Sequence, residues 1–491
     1  MRPLFALVSV MLFLALASAA CLRSGVQLDD AGYVALRVAD NVRHGHGIVF
    51  NPGERRDLVD SPLWLGLLTV FTASEHASLL VQFAGMILGT AVLLLVLAGP
   101  RLLVAGACAS LFLGLDGLFA AGVTTGGSGL LAAAYLVAFQ LHLRRARSRE
   151  DEPRHADRTI AIWASVAPLV RYELALVVLP AMLGWALADW RRPRAWLPLG
   201  AAVAGCALCL GMRAAYFDAW PAYWEPWPPS RAGVESALRA LGDVLVRRPL
   251  LGIGIVVAAA AWVRGQCRAT RATGFGWGLV ALAGFSLLPQ AGRDVERNVL
   301  ILLAPAYLLA VEAVWRGTRT RLGLVAALLL VVAQPARTWF PGAANPQTRT
   351  AQVKIGQWLG EHALPGTVVG ARQVGALGYY SGLEMEDVEG QVSPRVAAAR
   401  RALRPVNDVS TAHDFSPMLR QEPDLVLTGS REPVPSSILY VPDMEAVPEA
   451  LRGEFGVYRW AANPVWRVAP GNFVPARNSR RAPALVVVPA H

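Results

Sequence analysis

Charged side chains are scarce in this sequence. Asp, Glu, Lys and Arg make up 16% of its 491 residues, whereas a soluble globular domain carries roughly 25%. Apolar side chains make up 54% of the chain, and the mean hydropathy is +0.41. Because long apolar runs account for this shortage, the composition favours a membrane protein with one additional soluble region over a wholly soluble enzyme.

Lysine is almost absent. Lys354 is the only one, so 45 of the 46 basic residues are Arg. A net charge of +11 would suit a nucleic-acid-binding protein if it were gathered on one surface. The arginines instead stand in short clusters between apolar runs, which is the pattern of cytoplasmic loops in membrane proteins. We therefore expect no nucleic-acid partner.

Cysteine is also rare, and the five cysteines support neither a disulfide framework nor a metal site. Cys206 and Cys209 form a Cys-x-x-Cys pair inside an apolar run, where small packing residues are expected. No group of His, Asp and Glu has the spacing of metal ligands. The sequence predicts no metal and no cofactor.

About eleven apolar segments approach the ~20 residues that a helix needs to cross a bilayer. We interpret the first as an uncleaved span, although Ala17-Ser18-Ala19 also fits a signal-peptidase site. The segments are 4–22, 77–98, 101–121, 125–143, 159–170, 174–190, 195–215, 249–264, 274–290, 297–315 and 322–340.

Arginine clusters set the orientation of these spans, because cytoplasmic loops are enriched in positive charge. Threading the spans from a cytoplasmic N-terminus places the basic clusters inside, at 144–147, 191–194, 264–271 and 316–321. It places outside the segments 23–76, 171–173, 218–247 and 291–296 and the region after 340. The expected protein is thus a polytopic α-helical membrane protein, with a transmembrane module over 1–340 and an extracytoplasmic domain over 341–491.

The C-terminal region has a different composition, with shorter apolar runs and more Pro, Gly and charge. Its patterns predict helices over 353–362 and 374–380 and buried strands over 367–371 and 424–428. Alternating helices and strands indicate a small α/β domain. The Pro- and Arg-rich tail from 474 is expected to be disordered.

The segment after the first span combines apolar and polar residues at helical spacing. A helix over 31–43, capped by Asp30, would lie along the membrane surface with Asp30, Tyr33, Arg37, Asn41 and His44 on its polar face. A carboxylate can take the proton of an attacking hydroxyl, and a guanidinium can bind a phosphate. The spacing equally fits a simple helix cap beside a solvated carboxylate.

Several uncommon elements follow one another in this segment. They are Asp29-Asp30, Arg37 with Asn41, His44-Gly45-His46-Gly47, Asn51-Pro52-Gly53-Glu54 and Pro62-Leu63-Trp64. In this order they resemble the first outer loop of bacterial GT-C glycosyltransferases, most closely the arabinofuranosyltransferases of mycobacterial cell walls that use a decaprenyl-phosphate donor. Weaker similarities follow at Arg171-Tyr172-Glu173, at Asp294 with Arg297, at 375–382 and at 387–390.

The resemblance implies a GT-C fold in a bacterial plasma membrane, with the active site on the outer side. It implies direct transfer of a sugar, with inversion, from a polyprenyl-phosphate donor to a glycan or lipid acceptor. Asp30 or Asp29 would be the general base, and Arg297, with Arg37 or His44, would hold the donor phosphate. The implied substrate-binding residues are Tyr33, Asn41, His46, Arg171, Glu173, Asp294 and Trp224.

One outer loop departs from the family. Relatives carry an Asn and a Lys there, whereas this chain has Trp220, Trp224 and Trp227, which also fit an ordinary interfacial aromatic belt. Two other functions stay open. A transporter would place ionisable residues inside its spans, and a non-catalytic assembly protein would use its outer domain to bind partners.

Overall fold

The computed structural model divides the chain into two compact units. One, the helical unit, contains Met1–Gln27 and Val59–Ala343; the other, the α/β unit, contains Leu28–Leu58 and Ala344–His491. Residues 28–58, which the sequence-based division put with the transmembrane module, thus belong with the C-terminal region. The structure describes residues 2–23, 27–98, 103–148, 153–217, 300–301, 303–305, 346–388, 390–403, 415–429, 440–442, 449 and 455–460.

Helices dominate the described residues up to Phe217. The first two are α1 (Arg2–Arg23) of the helical unit and α2 (Asp30–Arg43) of the α/β unit. The remaining described helices of the helical unit are α3 (Pro62–Phe71), α4 (Ala77–Ala98), α5 (Leu103–Gly114), α6 (Gly117–Ala121), α7 (Ser128–Ser148), α8 (Pro153–Val170), α9 (Ala175–Ala188) and α10 (Leu197–Phe217). Short 3-10 turns at Tyr172–Leu174 and Pro193–Trp196 precede α9 and α10.

Two stretches of the described chain are long and apolar enough to cross a membrane, judged by length and composition alone. They are Ala77–Ala98 and Pro193–Phe217, and shorter apolar helices cover Ala6–Leu22, Pro62–Phe71, Ser128–Leu143 and Tyr172–Ala188. The expected spans at 249–264, 274–290 and 322–340 and most of 297–315 lie outside the described residues. The count of eleven therefore stays a prediction.

The helical unit packs around two apolar cores. The first joins α1, α4, α5, α6 and α7 around Phe13 and Phe119, whose ring centroids are 5.3 Å apart. An added Cβ at Gly89 of α4 would lie 2.1 Å from the tip of the Phe13 ring, so a larger residue there would force the ring to shift. The second core joins α7, α8, α9 and α10.

The α/β unit contains a five-stranded sheet of order β2-β1-β3-β5-β4. The strands are β1 (Val368–Ala371), β2 (Glu384–Asp387), β3 (Leu425–Gly429), β4 (Tyr440–Pro442) and β5 (Phe455–Trp460). The first three are parallel, and β5 pairs antiparallel with both β3 and β4. The α/β prediction for the C-terminal region is confirmed.

Four described helices of the C-terminal region accompany this sheet. They are α11 (Pro346–His362), α12 (Gly375–Ser381), α13 (Pro394–Leu403) and α14 (Ser416–Leu419). The helix α12 connects β1 to β2 and contacts both α11 and α2. The two helices and two strands predicted here agree with α11, α12, β1 and β3, and the tail from 474 lies outside the described residues.

Candidate functional site

The two adjacent aspartates at the start of α2 have different environments. Asp29, not Asp30, is the N-cap, since its Oδ1 accepts a hydrogen bond from the Gly32 N–H at 2.8 Å. The expectation that Asp30 caps the helix is wrong by one residue. Asp30 is the first helical residue, and its Oδ1 accepts a hydrogen bond from the Gly375 N–H at 2.7 Å.

The helix predicted over 31–43 is present, but its polar face does not lie open along a membrane surface. Arg37 is only 5% exposed, and its Nη2 donates to the carbonyl oxygen of Gly382 at 2.9 Å. Gly382 ends α12 in a left-handed conformation, with φ 73°. The guanidinium therefore neutralises the partial negative charge at the C-terminal end of a neighbouring helix. These contacts give Arg37 a structural role in the α/β unit.

Two more residues expected to bind substrate are buried within the α/β unit. The Asn41 amide donates to the carbonyl oxygens of Val49 and Phe50, both at 2.8 Å. The Tyr33 ring lies 5.5 Å from that of Tyr380, and their hydroxyl oxygens are 3.5 Å apart. Burial, together with the neighbouring tyrosines, raises the pKa of Tyr33, so it remains a neutral phenol.

Both histidines of the His-Gly-His-Gly element lie at the far end of α2. His44 is the C-cap, with Nδ1 2.8 Å from the Asp40 carbonyl oxygen, and His44 and His46 are exposed. Asp30 lies 14 residues earlier, which corresponds to about 20 Å along a helix. The donor phosphate is bonded to the same anomeric carbon that the base-activated hydroxyl attacks. His44 therefore does not hold that phosphate if Asp30 is the base.

A second charged cluster lies in the helical unit. Arg171 is 3% exposed, and its Nε and Nη2 donate to the two carboxylate oxygens of Glu173 at 3.1 and 3.2 Å. Its Nη2 also lies 3.0 Å from Oδ2 of Asp60, whose side chain is 18% exposed. One guanidinium thus holds two carboxylates, one of them partly open to solvent.

Asp60 is the member of this charge cluster that sequence reasoning missed. It precedes Ser61, the N-cap of α3, and the adjacent Val59 carbonyl oxygen accepts a hydrogen bond from Arg213 at 2.8 Å. The one feature of the sequence that could have indicated Asp60 is Arg171, because a buried arginine between two apolar segments needs carboxylate partners. The sequence named Glu173 as one neighbour but did not indicate the second.

Three expected site residues, Arg297, Asp294 and Trp224, lie outside the described residues, and their roles stay predictions. Within the part of the chain that the structure describes, no group of three or more His, Cys, Asp and Glu residues is arranged to hold a metal ion.

Strand β2 carries an unusual carboxyl group. Glu386 is 1% exposed, and its Oε2 has no hydrogen-bond partner among the described residues. Burial raises the pKa of Glu386 to about 8, with further increases from Glu54, Glu384 and Asp387 and an opposing effect of Arg395. Glu386 is therefore protonated in the folded protein near pH 7.

Glu386 is expected to make stability pH-dependent. Its folded pKa of about 8 exceeds the usual 4.5, so the native state binds the proton more tightly. The associated stabilisation is complete below about pH 4.5 and is lost as the pH rises to about 8. We expect Glu386→Gln to raise the unfolding free energy at pH 8 by about 2 kcal/mol after allowance for solvent screening.

Thermal unfolding of the purified full chain at pH 5 and pH 8 tests this expectation. At pH 5 the folded protein holds Glu386 neutral and only the unfolded chain ionises it, so the variant and the parent protein should differ in unfolding temperature much less than at pH 8. At pH 8 the variant should unfold at the higher temperature. The same difference at both pH values would contradict the assignment of a protonated Glu386.

Comparisons with known proteins bear on the fold and on the C-terminal domain. Residues 343–478 match a family described as a domain of unknown function, DUF8728, and no curated protein matches the sequence. The structure is similar to that of ArnT from Cupriavidus metallidurans bound to undecaprenyl phosphate. The identity is 14%, the match covers 91% of this chain and 97% of that chain, and the TM-score is 0.55.

A weaker similarity links the chain to the archaeal oligosaccharyltransferase AglB from Archaeoglobus fulgidus, in complex with an inhibitory peptide and a dolichol-phosphate. The identity is 11%, the match covers 85% of this chain and 69% of that chain, and the TM-score is 0.48. At 14% identity the similarity to ArnT shows a shared fold.

Proposed function

We propose that this protein is a membrane glycosyltransferase of the GT-C class that takes its sugar from a polyprenyl-phosphate donor. The observation that carries the proposal is the match to ArnT, a GT-C glycosyltransferase, over nearly the whole length of both chains. ArnT was solved with undecaprenyl phosphate bound. The paired aspartates that come next in the sequence after the apolar helix α1, at the start of α2, supply a carboxylate for such chemistry.

The proposed reaction is direct displacement at the anomeric carbon. The acceptor hydroxyl forms a bond to that carbon as its bond to the phosphate oxygen breaks, and the configuration inverts. The hydroxyl proton passes to a carboxylate, and the leaving group is the polyprenyl phosphate. A positioned general base typically contributes ~10²–10⁴-fold to such a step.

Asp30 is the base that we favour. Asp29 uses a carboxylate oxygen to cap α2, which is a role that an N-cap aspartate commonly has. Asp30 lies on the first turn of the same helix and does not cap it. Its hydrogen bond to Gly375 fixes the direction of the carboxylate.

For the donor phosphate we retain Arg297 alone from the residues that the sequence suggested. Arg37 donates to buried carbonyl oxygens, and His44 lies too far along α2 from Asp30. Arg171 also has carboxylate partners, Glu173 and Asp60.

The finer assignment is arabinofuranose transfer to an extracytoplasmic glycan or lipid. It rests on the resemblance of the segment from Asp29 to Trp64 to decaprenyl-phosphate arabinofuranosyltransferases. The outer position of the α/β unit rests on the arginine distribution.

Donor binding is tested by thermal stabilisation of the purified protein with a panel of polyprenyl-phosphate sugars. A ligand that binds only the native state at 100 times its Kd stabilises by about 2.7 kcal/mol. We expect a decaprenyl-phosphate pentofuranose to raise the unfolding temperature more than the same lipid carrying a hexose. If decaprenyl phosphate without a sugar raises the unfolding temperature as much as the pentofuranose donor does, the assignment of a pentofuranose is contradicted. If no lipid raises the unfolding temperature, the proposal of a polyprenyl-phosphate donor is contradicted.

A further inference from the structure

The proposed base accepts a short hydrogen bond from a glycine at a distant point in the sequence. The Gly375 N–H donates to Oδ1 of Asp30 at 2.7 Å. A Cβ added at Gly375 would lie 2.0 Å from the Asp30 carbonyl oxygen and 3.0 Å from Oδ1. Real Cβ atoms do not approach other atoms at such distances, so only glycine permits this contact.

The contacts between α2 and α12 have the same spacing along both helices. Asp30 meets Gly375 at the start of α12, and seven residues later Arg37 meets Gly382 at its end. Seven residues of α-helix correspond to about 10 Å in each case. The two helices therefore run side by side in the same direction, and both ends of the paired stretch are fixed by hydrogen bonds.

The segment that follows α2 is also held by the α/β unit. The Asn51 amide donates to the Met385 carbonyl oxygen at 2.8 Å and accepts from the Met385 N–H at 3.0 Å. The Arg395 guanidinium lies 3.1 Å from Oε1 of Glu54 and 2.9 Å from Oε1 of Glu384. The C-terminal strands and helices thus hold residues 30–54 at several separate points.

We propose that Gly375 is a positioning residue for the transfer reaction. Its N–H sets the direction of the Asp30 carboxylate, and its lack of a side chain lets α12 approach closely enough to do so. This inference rests on the proposed role of Asp30 as general base. It assigns the C-terminal half of the chain a part in catalysis, because α12 contacts the base.

Replacing Gly375 by Ala tests the inference in the full-length protein. The methyl group must displace the Asp30 backbone, and a shift of about 1 Å in a reacting group can cost ~10²-fold in rate. We expect kcat to fall ~10–100-fold while the Kd for the polyprenyl-phosphate donor is unchanged. A kcat equal to that of the parent protein would overturn the inference.

Gly378→Ala is the matched control in the same helix. Its added Cβ would meet the tip of the Phe50 ring at 2.7 Å and does not reach Asp30. This variant crowds the same helix against a side chain rather than against the Asp30 backbone, and kcat should stay within about threefold, since the ring tip can move. Equal losses in the two variants would show that α12 matters for stability only.

Hydrogen exchange gives a second measurement that does not require the Gly375 variant to fold. In Asp30→Ala the Gly375 amide loses its acceptor, so its exchange should become about tenfold faster or more. In Asp30→Asn the side-chain oxygen still accepts, so protection should be retained although transfer is lost. Unchanged exchange in Asp30→Ala would refute the positioning contact and leave the proposed function standing. Full turnover in Asp30→Asn would instead remove the role of Asp30 as base.

Discussion

Asp30→Asn is expected to lower the rate of sugar transfer by ~10²–10⁴-fold, the usual effect of removing a general base. The amide keeps the size of the carboxylate and can still accept the hydrogen bond from the Gly375 N–H. Folding and donor binding should therefore be preserved. Steady-state transfer with saturating donor, together with the unfolding temperature, separates a chemical defect from a structural one.

Asp29→Asn is the matched control for this prediction. Asparagine is as good an N-cap as aspartate, so the hydrogen bond from the Gly32 N–H should persist. We expect this variant to keep most of its transfer rate. If Asp29→Asn loses transfer and Asp30→Asn keeps it, the base is Asp29.

Arg171→Met is expected to destabilise the helical unit by about 3–5 kcal/mol. The substitution leaves Asp60 and Glu173 without the guanidinium that lies within 3.0 and 3.1 Å of them. Two carboxylates would then remain in a largely buried place without a compensating charge, which costs more than the ion pairs themselves contribute. Thermal unfolding in detergent should show a lower midpoint than that of the parent protein.

Adding Glu173→Gln and Asp60→Asn to Arg171→Met provides the control. The triple variant has no charge at these three positions, so much of the lost stability should return, as it often does when a buried ion cluster is replaced as a whole. A triple variant no more stable than Arg171→Met would show that the guanidinium stabilises by packing. A single variant within 1 kcal/mol of the parent protein would refute the burial of this cluster.

Local patterns in the sequence predicted much of the secondary structure. The helix over 31–43 is present as α2, and the predicted C-terminal helices and strands correspond to α11, α12, β1 and β3. Helical periodicity and capping are set by residues within one or two turns of one another, so short windows contain the information. The cap itself was misplaced by one residue, because both Asp29 and Asp30 are good capping residues.

Local sequence patterns did not predict the contacts between residues far apart in the chain. Polar residues on one face of α2 suggested a surface exposed to water, yet Arg37 and Asn41 are buried with backbone carbonyls as partners. The Arg37 partner Gly382 is 345 residues away in the sequence, and no local periodicity reports such a pairing. A buried polar group is acceptable once it is hydrogen-bonded, so polarity alone did not indicate exposure.

The sequence patterns did not predict the division into the two units for the same reason, since it depends on long-range contacts. Residues 28–58 belong to the α/β unit although the long intervening stretch Val59–Ala343 separates them from its other part. Composition changes along a sequence mark the ends of continuous segments only. Likewise, Asp60 has no local motif, and its importance follows from its 3.0 Å contact with Arg171.

Transfer from a decaprenyl-phosphate sugar to a glycan acceptor, followed in proteoliposomes, measures the proposed activity itself. The parent protein should release one decaprenyl phosphate for each sugar transferred, and the product should have the inverted anomeric configuration. Asp30→Asn should show neither release nor product while its unfolding temperature still rises with donor. Near-full turnover in both Asp29→Asn and Asp30→Asn would contradict the proposal that a carboxylate at the start of α2 is the general base of this protein.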